Sequence, residues 1–350
     1  MKINFRVLTT ILLLGFFINN QADAQKVEVL QEEFIYDEAP FPSCHASTIA
    51  SIPGGVIVAW FGGTHENNPD VEIWSSRKMF DGEWTKPVSL ANGIQHQDKR
   101  YPTWNPVLFK YPNGPLVLFY KVGKNPREWW GEMRVSFDNG ITWSEKRRLP
   151  EDILGPVKNK PILLESDMLL CPSSKEDEVT GWQVYMEMTP DMGKTWKLIG
   201  PIGDVKEFDI IQPSILSYED GRMQILCRSK NDYVVESWSS DNGFTWTNPK
   251  ASTLPNPGSG TDALTAASNL QVVIYNHNNS VVNHFSQTQR SPLNLGVSED
   301  GEKWKMIHTF EDEKGEFSYP AIIQDSKGIF HATYTYNRKK IKYVKFRLVD

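Results

Sequence analysis

Flat aromatic rings beside polar side chains are the groups that hold sugars, one ring face stacking while the hydroxyls are hydrogen-bonded. Three segments of this chain carry that combination. They are Arg100-Tyr-Pro-Thr-Trp104-Asn105-Pro with Lys121 downstream, Arg127-Glu-Trp129-Trp130-Gly131, and Lys158-Asn159-Lys160 after Gly155-Pro156. Trp104, Asn105, Arg127, Lys158 and Lys160 are the groups expected to touch a ligand. Sheet-edge packing with a solvated basic rim is the plainer reading of the same residues.

The most regular acidic residues have a different reading. Ser136-Phe-Asp138-Asn-Gly140-Ile-Thr142-Trp143 recurs as Thr189-Pro-Asp191-Met-Gly193-Lys-Thr195-Trp196 and as Ser239-Ser-Asp241-Asn-Gly243-Phe-Thr245-Trp246. Ser298-Glu-Asp300-Gly301-Glu-Lys-Trp304 is a shortened copy, and Asp81-Gly82-Glu83-Trp84 a degenerate one. Asp and Gly make a tight turn, the carboxylate accepting local backbone N–H groups and Gly taking positive φ, while Thr and Trp start the next strand and anchor it. These aspartates are expected to be structural and not catalytic acids.

From aspartate to aspartate the steps are 57, 53, 50 and 59 residues, the length of one four-stranded propeller blade with its loops. Twelve Trp, 12 Tyr and 17 Phe with 22 Pro and 24 Gly fit many short strands broken by turns. Segments such as Gly55–Phe61, Leu116–Tyr120, Gln224–Cys227 and Phe330–Thr335 are read as strands alternating apolar and polar residues. Five motifs plus a terminal blade closed by both chain ends predict an all-β, six-bladed β-propeller, with seven blades the alternative. It is expected to form a single domain over residues 25–350.

Motifs at this spacing resemble the Asp-box (BNR) repeats of the sialidase superfamily over nearly the whole chain after residue 24. Sialidases hold a substrate carboxylate with three arginines, attack with a tyrosine activated by a glutamate, and protonate the leaving group with a loop aspartate. The resemblance places the second arginine at Arg228, at the end of Gln212-Pro-Ser-Ile-Leu-Ser-Tyr-Glu-Asp220-Gly-Arg-Met-Gln-Ile-Leu-Cys-Arg228, with Gln212 where the glutamate belongs. It places the third at Arg290, the nucleophile at Tyr319 and the acid/base group at Asp70, with His65 and Glu66 as alternatives on the same loop. His45, in Phe41-Pro-Ser-Cys-His45-Ala-Ser-Thr-Ile49, stands nearest the first arginine, either as a carboxylate partner when protonated or as a base when neutral. Asp262 is a reserve acid.

The resemblance implies a sialidase-like hydrolase that removes a terminal acidic sugar from glycans. The substitutions Gln212 and His45 keep open an enzyme acting on uronic-acid polysaccharide, by elimination or by removing a capping sugar. A non-catalytic glycan-binding propeller is the third reading. No metal-ligand spacing occurs and no cofactor is expected. Cys44, Cys171 and Cys227 read as buried small hydrophobes, with one disulfide as the alternative.

A formal net charge of -6 without a basic run argues against nucleic acid. Lys2 and Arg6 before the apolar run Val7–Ile18, then Ala22-Asp23-Ala24, predict a signal peptide over residues 1–24. Secretion or residence in a periplasm follows from it. The run is too short to span a bilayer; no membrane anchor is expected, and the protein is expected to act as a monomer on an acidic glycan.

Overall fold

A computed structural model describes residues 25–96, 98–279 and 290–349; the expected signal peptide lies outside them. Six four-stranded antiparallel sheets account for the strands among these residues, apart from a short hairpin of Ile94–His96 with Lys99–Arg100. The chain is an all-β, six-bladed propeller.

Five blades follow chain order, from the inner strand outward. Their inner strands are Ser43–Ile52, Thr103–Lys110, Ile162–Leu163, Ile210–Ser217 and Asp262–Thr265. Blade 6 takes Phe317–Gln324, Phe330–Tyr336 and Lys340–Val349 from the end of the chain and its outer strand, Lys26–Phe34, from the beginning. That pairing closes the ring, as the terminal-blade argument predicts.

Packing between blades explains the most apolar strands. In Gly55–Gly63, Val56, Val58 and Trp60 face blade 6, while Ile57, Ala59 and Phe61 face blade 2. Leu116, Leu118 and Tyr120 likewise face blade 1, and Val117 and Phe119 face blade 3. Apolar–polar alternation is therefore corrected for these second strands: both faces meet a neighbouring sheet, so both are apolar. Six apolar clusters, one for each pair of adjacent blades, hold the ring. Each fully buried Val, Leu, Ile or Phe contributes about 1.5–3 kcal/mol.

The Asp boxes fasten those contacts at one end. Thr142, Thr195 and Thr245 each donate N–H and Oγ1–H to the aspartate four residues before, at 2.5–2.8 Å. The shortened copy binds Asp300 Oδ1 to the N–H groups of Glu302 and Lys303. Each motif follows the third strand of its blade, so the boxes lie at the end opposite to the starts of the inner strands. Cys44, Cys171 and Cys227 are buried free thiols.

Candidate functional site

Four inner strands begin with the same irregularity. Their registers shift between His45 and Thr48, Trp104 and Val107, Ile211 and Ser214, and Ser318 and Ala321. Inside each bulge one residue takes a left-handed backbone: Ala46 (φ 56°), Asn105 (36°), Gln212 (55°) and Tyr319 (52°). A β-bulge re-aims a side chain at the cost of ladder pairing, and positive φ costs a residue with a Cβ about 1–2 kcal/mol. Four blades carry this strain at one level, at the mouth of the central channel.

Tyr319 occupies the axis. From blade 6 its hydroxyl accepts hydrogen bonds from Arg228 Nη1 (2.9 Å) and Gln212 Nε2 (3.2 Å), both of blade 4. Its ring lies 4.2 Å from the His45 ring of blade 1, and Lys158 Nζ of the blade 3 segment is 5.8 Å from its centroid. A side chain touching blades 1, 3 and 4 from blade 6 can only be central.

The Gln212 amide is oriented by its surroundings. Arg228 Nη1 also points at Gln212 Oε1 (3.4 Å), which turns the NH2 group toward Tyr319. Asn159 Nδ2 holds the Gln212 carbonyl (2.9 Å) and Ser174 Oγ accepts its N–H (3.2 Å). Tyr319 Oη therefore accepts two hydrogen bonds, both from blade 4.

Three arginines form a group here: Arg228 donates to this oxygen, Arg290 lies 5.7 Å from the tyrosine ring, and Arg338 joins Arg290 through Glu316. Arg228 gives Nε–H to Gly258 O (2.5 Å), and no described carboxylate lies within salt-bridge distance of it. Glu316 accepts Arg290 Nη1 (2.8 Å) and Arg338 Nε (2.9 Å to Oε2), while Arg338 Nη1 also pairs with Glu66 Oε2. Two carboxylates thus balance two arginines, and Arg228 carries the unmatched positive charge.

His45 cannot add to it. The side chain is 2% exposed with Nδ1 3.0 Å from Thr335 Oγ1. Burial first, then Arg338, Arg290, Arg228 and Lys158, hold its pKa well below the ordinary histidine value. The reading of His45 as a protonated carboxylate partner is corrected: its position selects the neutral ring. Arg338 is the cation that sequence comparison missed; it sits in the turn between the last two strands of blade 6, where no motif marks it.

The model of the BNR repeat-like domain family matches residues 54–332. The chain belongs to this family. Among solved structures, a protein of unknown function from Dyadobacter fermentans superposes with a TM-score of 0.75 at 15% identity, over 92% of this chain and 99% of that one. The NanB sialidase of Streptococcus pneumoniae gives 0.71 at 12% identity, over 90% and 70%. A mutant of Trypanosoma rangeli sialidase displaying trans-sialidase activity gives 0.69 at 14%, this chain spanning 58% of its length. At such identities the likeness establishes a sialidase-like propeller fold. No curated protein sequence matches.

Several residues singled out in the sequence lie elsewhere in the BNR propeller than expected. Asp70 is exposed, its Oδ2 accepting Thr64 N–H (2.9 Å) and Oγ1–H (2.6 Å). Burial raises its pKa, but those bonds, its own N–H and Arg100 outweigh it and leave the carboxyl below its ordinary value, the wrong direction for a proton donor. On the same loop it is Glu66 that reaches the central cations.

Lys158 is buried and gives its three N–H bonds to Asn159 Oδ1 (2.8 Å), Thr261 O (2.6 Å) and Pro320 O (2.6 Å). It ties blades 3, 5 and 6 beneath Tyr319 and has no donor left for a ligand. Lys160 is paired with buried Asp262 (2.8 Å), whose carboxylate also accepts Ile322 N–H (2.9 Å), so neither is free for substrate or acid chemistry. Trp104 is buried with Nε1–H on Gly123 O (2.9 Å) and forms a wall. Asn105 occupies the blade 2 bulge, and its amide has no partner among the described residues. Arg127 is exposed at the rim between blades 2 and 3, paired with Glu178 (2.6 Å).

Proposed function

We propose that the protein is an exported glycoside hydrolase that removes a terminal acidic sugar, sialic acid or a relative, from glycans. The supporting observation is Tyr319 Oη, held by two donors beside a guanidinium with no carboxylate partner. Arg228 takes the sugar carboxylate with charge-assisted hydrogen bonds, and Arg290 and Arg338 border it. Tyr319 Oη then gives its proton to solvent and attacks the anomeric carbon as the glycosidic C–O bond breaks, and water cleaves the resulting tyrosyl bond. The leaving oxygen takes a proton from solvent, since Glu66 is held by Arg338 and Asp70 by Thr64. Tyrosine nucleophiles are a known departure from the two-carboxylate pattern of glycosidases.

Gln212 gives a second reading its support. An amide cannot accept the tyrosine proton as a glutamate would, and the neutral His45 ring beside Tyr319 is a base for removing the proton α to a uronate carboxylate. Hydrolysis adds water across the cleaved bond, whereas elimination leaves an unsaturated uronate.

Incubation with sialylated and uronate-bearing glycans, with products read by mass and ultraviolet absorbance, separates the two. Hydrolysis products from the wild type, lost by at least a hundredfold in Tyr319→Phe, are expected. An unsaturated product overturns the hydrolase. Turnover unchanged in Tyr319→Phe overturns the role of the tyrosine.

A further inference from the structure

A cavity of about 390 Å³ opens between blades 2 and 3, bordered by Arg127, Trp129, Trp130, Arg148, Glu176 and Gln183. Its size falls in the range of about 300–1,000 Å³ typical of small-ligand sites. Trp130 starts the third strand of blade 2, and Glu176 sits across from Trp182 at the start of the third strand of blade 3. These starts share the end of the propeller that carries Tyr319.

Two chains of contacts connect cavity and tyrosine. One runs Tyr319–His45–Phe61–Trp104–Trp129, ring to ring at 4.2, 5.6, 6.1 and 6.1 Å. The other runs from Tyr319 through Arg228 to Trp182, whose ring lies 4.8 Å from the guanidinium, and on to Glu176.

The chemistry of the cavity differs from that of the axis. Arg127 pairs with Glu178 and Lys175 with Asp152, and Arg148, without a carboxylate partner among the described residues, lies over the Trp130 ring at 4.6 Å. Half-buried Glu176 has no salt bridge among the described residues. Burial raises its pKa, while Arg228, a side-chain hydrogen bond from Trp182, Arg127 and Lys230 lower it, and the carboxyl keeps acceptor capacity beyond that one bond. The Trp129 indole with a carboxyl and a carboxamide suits a neutral pyranose, which offers an apolar ring face and several hydroxyl donors.

We propose that this cavity is a subsite for a neutral sugar of the glycan whose acidic terminus occupies the axis, Trp129 supplying the stacking surface and Glu176 accepting hydroxyl hydrogen bonds. The proposal rests on reading this end of the propeller as a glycan site.

Ligand-observed NMR titration with neutral disaccharides built from glucose, galactose, mannose, N-acetylglucosamine and fucose tests it. At least one should bind saturably to the wild type. Trp129→Ala and the near-isosteric Glu176→Gln should each weaken that binding at least tenfold, while Arg222→Ala, an exposed change in the hairpin turn of blade 4, leaves it within twofold. No saturable binding to the wild type, or affinity kept by both cavity variants, overturns the subsite. Failure of the wild type to bind any acidic sugar overturns the axial reading, whereas the neutral-sugar titration decides the subsite.

Discussion

His45 shows how strongly the pocket constrains its own protonation. A ring buried beside Tyr319 with Arg338, Arg290, Arg228 and Lys158 pressing on it stays neutral, so His45→Arg would not complete a three-cation grip. It would bury a fourth guanidinium without a carboxylate, and an unpaired buried charge costs about 3–5 kcal/mol; chemical denaturation should show a loss of that size. The same residue sets a pH dependence. The unfolded chain takes up the His45 proton near about 6.5, whereas the folded chain takes it up only well below, so the unfolded state binds more protons in between. Stability should therefore fall as pH drops below about 6.5, by up to about 1.4 kcal/mol per pH unit for this group. His45→Asn should remove that part of the slope, and an unchanged slope would show that the histidine titrates normally.

Blade turns contribute through space as well as through hydrogen bonds. Gly301, in the shortened box of blade 5, has φ +76°, and a Cβ there would lie 1.9 Å from Tyr218 Oη and 2.6 Å from Gln224 Oε1 of blade 4. Gly221, in a hairpin turn of blade 4, has φ +82° and nothing within 4 Å. Gly221→Ala should thus cost only the left-handed strain of about 1–2 kcal/mol, and Gly301→Ala clearly more, because the seam between the blades must open. Equal melting temperatures for the two variants would contradict the idea that the box presses on its neighbour. The boxes were legible because one turn chemistry repeats at blade length, and Arg228, Gln212 and Tyr319 because family spacing carries to this chain. Arg338 and Glu176 were not, since hairpin turns and strand ends carry no motif, and Lys158 misled because burial converts a basic run into an internal tie. Asp70 was placed on the right loop, but its hydrogen bonds to Thr64 depend on backbone geometry that spacing does not reveal.

At the scale of the whole molecule, the propeller turns distant sequence into a single pocket. Lys26–Phe34 pairs with Lys340–Val349 to close blade 6, and closure brings His45 of blade 1 and Gln212 and Arg228 of blade 4 into contact with Tyr319. Net charge is -6, yet the mouth of the channel concentrates arginine, as the proposed acidic ligand requires. The central claim is that this mouth holds a sugar carboxylate through Arg228. Calorimetric titration of the wild type and Arg228→Ala with N-acetylneuraminic, glucuronic and galacturonic acids, alongside their neutral counterparts, tests it most directly. The account predicts that at least one acid binds while its neutral counterpart does not, that salt weakens the binding, and that Arg228→Ala costs about 1.5–3 kcal/mol. Acids and neutral sugars binding alike, or an Arg228→Ala variant that binds the acid as tightly as the wild type, would contradict it.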